Sequence, residues 1–239
     1  MTKTLGRHAP LTLLAALFIT VLGVGNLTGA IRKADNIALE NIVDASKVAV
    51  ATLDKIGHPI AAADRQQLED AWTQTGDAAI DRIQEIMDRY AWFDLRVNEE
   101  AWLKVETATT NLEDRPLVEG AWTPFLIKVH NESASDAPIG VRSRQALHED
   151  ELAAAETGSA GAAGEDAWYR WLAVRIYPNA AALKPIHGTK VHYLVVGIFS
   201  RDAGMRSAEL EFHLQGGPVT EGHFTSKRVL FDVKPRTQG

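Results

Sequence analysis

Eight histidines carry the most chemistry in this 239-residue chain: His8, His58, His130, His148, His187, His192, His213 and His223. None of them forms a His-x-His pair or a His-Glu-x-x-His helix, the spacings that put two imidazoles on one metal. His187 and His192 fall at a predicted loop and the strand that follows it. His213 and His223 flank a turn, so a hairpin could bring them together near Glu211 or Glu221. They are the metal candidates. The plainer reading is a solvent-facing pair on the wet side of a hairpin, because a metal needs three or more placed ligands and the remainder of such a set is not identifiable. The chain has no cysteine, which removes disulfides, thiolate zinc sites, iron–sulfur clusters, cysteine nucleophiles and lipid attachment at an N-terminal cysteine. No cofactor is expected.

Other nucleophiles and cradles are equally sparse. There is no Gly-x-Ser-x-Gly elbow. Ser200-Arg201-Asp202 reads as a strand ending in a tight turn, with Asp202 capping it and Arg201 pairing with a carboxylate or pinning a neighbouring loop. Gly158, Gly161 and Gly164 follow no strand and open no strong helix, so they do not make a phosphate cradle. Glu99 and Glu100 are neighbours on an extended chain and face opposite ways, which rules against a catalytic pair. His130-Asn131-Glu132 closes a strand and is expected to make strand-end hydrogen bonds. Of the tryptophans, Trp72, Trp92, Trp102, Trp122, Trp168 and Trp171, most are assigned to packing, since aromatics dominate buried area in small cores. A glycan platform would need two aromatics exposed on one surface. Trp168 and Trp171 have opposite parity on a regular strand, so at most one of them faces outward.

Around these residues the composition is ordinary for a globular chain, with 46% hydrophobic and 23% charged residues. The formal charge is −6, and loss of the N-terminus would remove Lys3 and Arg7 and deepen it. An acidic chain without a basic run argues against a nucleic-acid partner, because neutralising phosphates takes clustered Lys and Arg. Lys3, Arg7 and His8 precede an uncharged apolar run, LTLLAALFITVLGVG, and Thr28-Gly29-Ala30 offers a small-residue exit. That layout predicts a secretory signal peptide over residues 1–30, cleaved after Ala30 or, as second choice, after Gly25. The rival is an uncleaved anchor over residues 9–31, which would be the chain's one membrane contact. Either places the remainder outside the cytoplasm, secreted or periplasmic.

Residues 31–90 read as a helical segment. Ile37, Leu39, Ile42, Val43, Val48, Val50 and Leu53 recur near helical spacing up to the Gly57-His58-Pro59 break. A second helix is predicted over Ala63–Trp72. A third has Ile80, Ile83, Ile86, Met87 and Tyr90 on one side and Asp81, Arg82, Glu85 and Asp88 on the wet one. From residue 91 the period becomes two. Strands are expected at 93–98, 102–106, 122–131, 139–143, 168–177, 191–200, 207–214 and 224–233. About eight short strands with turns between them predict an antiparallel β-sandwich over 91–239. Residues 148–166, rich in Ala, Gly and acids, are expected to be a mobile loop inserted between strands, with room for a short helix over 149–156.

The runs RIQEIMDRYAWFDLRVNEEAWLKVE and LVEGAWTPFLIKVHNESASDAPIGVRS, then YLVVGIFSRDAGMRSAELEF and RVLFDV, resemble the N-terminal, non-catalytic β region of secreted bacterial metallohydrolases similar to carbaryl hydrolase, in the polymerase-and-histidinol-phosphatase superfamily. Phe125–Glu132 and Ser200–Gly204 carry most of the likeness, which spans roughly residues 80–233. The resemblance implies a sandwich module without its enzyme, since that family's metal ligands begin with a His-x-His motif that this chain lacks. Residues and resemblance together lead to an extracytoplasmic, non-catalytic module that binds a protein or glycan or supports an assembly. The competing class is a degenerate or novel metal-dependent hydrolase, or an accessory of a separately encoded one.

Overall fold

The computed structural model describes residues 31–107, 116–135, 137–158, 168–177, 190–215 and 224–236. Three helices come first: α1 (Leu39–Lys55), α2 (Ala62–Trp72) and α3 (Asp77–Asp88). None has a side-chain cap on its first turn, so tertiary packing of their apolar faces must hold them. Ile42, Ala49 and Leu53 of α1, Leu68 of α2, and Ile83, Ile86 and Met87 of α3 are all buried.

The strands follow: β1 (Ala91–Val97), β2 (Leu103–Thr107), β3 (Leu117–Val118), β4 (Ala121–Asn131) and β5 (Ile139–Ser143). After a helix α4 (Glu149–Thr157) come β6 (Leu172–Ile176), β7 (Lys190–Ser200), β8 (Gly204–Leu214) and β9 (Phe224–Lys234). They form a five-stranded sheet in the order β2-β1-β4-β7-β6 and a four-stranded one in the order β3-β9-β8-β5. The protein is thus a mixed α/β fold with several helices and two mainly antiparallel sheets. It departs from helices followed by a purely antiparallel array in two ways. A helix lies inside the β region, and two pairings, β1 with β4 and β3 with β9, are parallel. Hydrophobic alternation reports which face a residue takes but not strand direction. β1 and β4 are separated by a long connection through β2 and β3, which permits parallel pairing where a tight hairpin would forbid it.

Two apolar cores share the five-stranded sheet. On one face Phe93, Leu95, Phe125, Ile127, Val196 and Ile198 meet Leu210, Phe212, Phe231 and Val233 of the second sheet. On the other, Leu126, Val191, Tyr193 and Val195 meet the three helices. The register of β1 against β4 slips between Ala91 and Phe93. Consistent with this bulge, Trp92 joins its neighbour Phe93 in the inter-sheet core. There its ring stacks on Phe125 at 4.4 Å.

Within the loop expected over 148–166, the short helix for which the sequence leaves room is present at Glu149–Thr157. Of its few apolar side chains, Leu152 and Ala155 pack on Leu147, Ala173 and Phe199, and a polar anchor adds to them. Arg170 donates through Nε and Nη2 to the two carboxylate oxygens of Glu151 at 2.8 and 2.6 Å, and Glu151 also accepts from the His148 amide at the helix start. Gly158 ends the helix in a left-handed conformation (φ 69°) that suits glycine. Residues 159–167 lie outside the described residues. Strand β6 begins at Leu172 rather than at Trp168, which sits in a turn.

Candidate functional site

Chemistry-bearing side chains gather between the five-stranded sheet and the helices. Along β4, Phe125, Ile127 and Val129 turn into the inter-sheet core, so Leu126, Lys128 and His130 face the helices by parity. Asp94 on β1 stands beside Lys128 in register, and Arg96 beside His130. Tyr193 reaches the same layer from β7.

Lys128 is 0% exposed, and each proton of its ammonium has an acceptor. Its Nζ donates to the Arg32 carbonyl at 2.9 Å, to Gln84 Oε1 at 3.0 Å and to Asp88 Oδ2 at 2.8 Å. The other oxygen of Asp88 accepts from the Tyr193 hydroxyl at 2.9 Å. Gln84 grips the extended segment before α1: its Oε1 accepts from the Ala34 amide at 2.8 Å, and its Nε2 donates to the Ala34 carbonyl at 3.2 Å. Nearby, Asp94 Oδ2 accepts from the Arg32 amide at 3.2 Å. Asp94 Oδ1 lies 3.0 Å from His130 Nε2, close but not aligned as a hydrogen bond, and both atoms are buried without another hydrogen-bond partner among the described residues.

Burial governs the electrostatics. It pushes the Asp88 carboxyl up, against the pull of Lys128 and the hydrogen bonds from Lys128 and Tyr193. It pulls the Lys128 ammonium down, against Asp88, and it raises the Tyr193 phenol well above its ordinary value, with Asp88 adding to the effect. For Asp94, burial acts upward but is outweighed by His130, the Arg32 amide and Lys128, so the carboxyl ends below its usual range. The cluster therefore holds charges at a desolvation cost, offset at Lys128, Asp88 and Tyr193 by hydrogen bonds to one another, to Gln84 and to the backbone. What it can do chemically is lock one element onto another: the segment at residues 32–34 and helix α3 onto β4 and β7.

At the edge of this layer, toward β2, is a pocket of about 90 Å³ lined by Arg32, Asp94, Arg96 and Lys104. Typical substrate clefts run to several hundred Å³. This one has room for a single small group. Glu132 holds Arg96 through Nε and Nη2 at 3.0 and 2.7 Å.

The metal candidates are placed only in part. The His213 ring lies across Gly140 of β5, where an added Cβ would come within 2.3 Å of its Nε2. His223, like His8, His187 and Glu221, lies outside the described residues. Glu211 is engaged by Arg142 Nε at 2.6 Å. Among the described residues no three metal-ligating side chains converge. Also among them, no helix is long and apolar enough to cross a membrane, while residues 9–30 of the anchor alternative lie outside them.

Elsewhere the strand-end expectation holds for Asn131, which bonds Ser133 and the Ser135 carbonyl, and Glu132 takes Arg96. His130 instead turns inward to Asp94. Arg201 pairs with Asp202, and the Ser200 hydroxyl donates to the Asp202 carbonyl at 3.0 Å. Trp92 and Trp171 are buried, and Trp168 is 77% exposed.

Asp88 corrects the expected wet face of α3: it is the last residue of the helix and points into the cluster. Lys128, Gln84, Asp94 and Tyr193 were not singled out by sequence. A signal was present for Lys128. Within Phe-Leu-Ile-Lys-Val-His it shares parity with Leu126 in a strand apolar on both faces, so it had to be buried and paired. The chain matches no known family model, no characterised protein and no solved structure.

Proposed function

We propose that this chain is an extracytoplasmic, non-catalytic module, a β-sandwich with a helical layer, that binds a protein partner or supports an assembly. The observation that supports it best is the use made of Lys128. Three ionisable groups, Lys128, Asp88 and Tyr193, are spent on one another and on the Arg32 carbonyl. A catalytic group needs reach to a bound substrate, and here each is turned inward. A protein surface is favoured over an extended glycan because the exposed aromatic neighbours Trp168 and Tyr169 meet edge to face, at 5.7 Å and 78°. They offer one stacking plane rather than a shared platform. The likeness to the β region of carbaryl-hydrolase-like enzymes is compatible with a role beside a separately encoded hydrolase.

The test is metal content and turnover of the purified protein. The expected result is no stoichiometric transition metal and no hydrolysis of esters or phosphoesters above buffer. About one zinc or manganese per chain, lost together with turnover in His213→Ala/His223→Ala, would contradict it and put the hydrolase reading first.

A further inference from the structure

Helix α4 differs from the other three helices in what holds it. It has no buried residue, whereas α1, α2 and α3 each bury apolar side chains. It is also acidic, carrying Glu149, Asp150, Glu151 and Glu156. Beneath it Trp122 of β4, Phe199 of β7 and Ala173 of β6 stand side by side in register across the five-stranded sheet. Phe199 and Ala173 are buried with Leu147, and Trp122, Leu152 and Ala155 complete this small apolar cluster. An arginine holds each end of the helix. Arg170 takes Glu151 through two hydrogen bonds. Arg175 lies over the Trp122 ring at 4.3 Å and 3.9 Å from Glu156, whose Oε1 accepts from Trp122 Nε1 at 2.8 Å. The sheet thus offers an apolar row between two cations, and an acidic helix lies upon it. A helix with so few buried contacts opens at low free-energy cost.

We infer that this row is a docking seat for an acidic amphipathic helix of a protein partner, and that α4 is its resident occupant in the free chain. The inference rests on the reading of the chain as a protein-binding module and names the surface that does the binding. Charge complementarity selects the occupant. Arg170 and Arg175 take carboxylates spaced as Glu151 and Glu156 are, and the row takes small or branched apolar side chains between them, as it takes Leu152 and Ala155. A partner gains on α4 through Trp168 and Tyr169, which are 77% and 36% exposed. The Arg170 guanidinium lies over the Tyr169 ring at 5.3 Å, so these aromatics adjoin the seat, and such side chains are frequent anchors of protein interfaces.

The test is fluorescence anisotropy of a labelled synthetic helix carrying the sequence of residues 148–157, titrated with the full chain. The chain's own α4 competes at an effective concentration on the order of millimolar, so the native protein should bind the peptide weakly. Glu151→Gln/Leu152→Ala in the protein releases α4 and should tighten peptide binding about tenfold or more. A peptide with Glu151→Lys and Glu156→Lys should not bind. If the double variant folds poorly, Glu151→Gln alone, with its circular dichroism spectrum in the β-sheet region unchanged, repeats the comparison. Equal affinity of the native and released chains, equal binding of the charge-reversed peptide, or no binding to a folded released chain would overturn the proposal. Dimerisation of the released chain without peptide would also overturn it and give the seat to α4 of a second copy. Metal content and turnover are measured without the peptide, so failure of this seat and failure of the module reading are told apart.

Discussion

The two faces of the five-stranded sheet are both buried, yet they are held by different physics. Toward the second sheet, Trp92, Phe93, Phe125, Phe212 and Phe231 pack ring against ring, and stability there follows area removed from water. Toward the helices, Leu126 and Val195 share the surface with a fully buried Lys128 and its acceptors. Apolar packing tolerates many arrangements of similar volume, whereas a buried ammonium accepts only the arrangement that meets its three protons. The second face thereby fixes where α3 and residues 32–34 sit.

Single substitutions should separate the two faces. Lys128→Met leaves Asp88 buried without its cation and should cost about 3–5 kcal/mol in denaturant unfolding. Phe125→Ala on the other face should cost a similar ~3–5 kcal/mol, from lost transfer and a cavity. The difference appears in the second step. Adding Asp88→Leu to Lys128→Met should restore most of the loss, because an apolar pair of similar size replaces an ion pair at little net cost. No partner change rescues Phe125→Ala. Additive losses in Lys128→Met/Asp88→Leu would erase the distinction.

Gln84→Ala should cost about 1–3 kcal/mol, since it strips partners from the Ala34 amide and carbonyl and one acceptor from Lys128.

A local effect is expected at α4. The hydrogen bonds of Arg170, with the His148 amide, hold the Glu151 carboxyl at about 2. A depressed carboxylate contributes stability above its unfolded value, and that contribution is lost as pH falls through the folded value. Between pH 4.5 and about 2, α4 should become progressively more open to an acid protease while the sheet cores stay protected. Arg170→Gln should move this opening up toward pH 4.5. The smallest change is in the β1–β2 turn, where Ala101 has φ 61°. Ala101→Gly should raise stability by about 0.5 kcal/mol, relief of left-handed strain exceeding the extra unfolded-state entropy.

Legibility in the sequence follows the same division. The inter-sheet face announced itself through alternation, as in Ala208, Leu210, Phe212 and Leu214, and the three helices through their apolar periods and the break at residues 57–59. Strand direction was not legible, because parity is identical for parallel and antiparallel neighbours. β3, with two residues, is too short for any period. At α4 the sequence leaves room for a helix, but the contacts that hold it, a Glu151–Arg170 pair nineteen positions apart and the packing of Leu152 on Phe199, are not local and so not legible. The polar cluster stayed hidden for a related reason. Its members come from residues 32–34, α3, β1, β4 and β7, and nothing local in Asp88 or Gln84 distinguishes them from solvated helix residues. Lys128, enclosed by Phe125, Leu126, Ile127 and Val129, was the exception that could have been read.

Lys128 clasps the segment before α1 and helix α3 to the sheet. Amide hydrogen exchange in Lys128→Met tests it most directly, read at Ala34, whose amide donates to Gln84 Oε1 at 2.8 Å. Exchange at Ala34 and along α3 should accelerate strongly while the β8 and β9 amides keep their protection. Unchanged exchange at Ala34, or an equal loss of protection in β8 and β9, would contradict it.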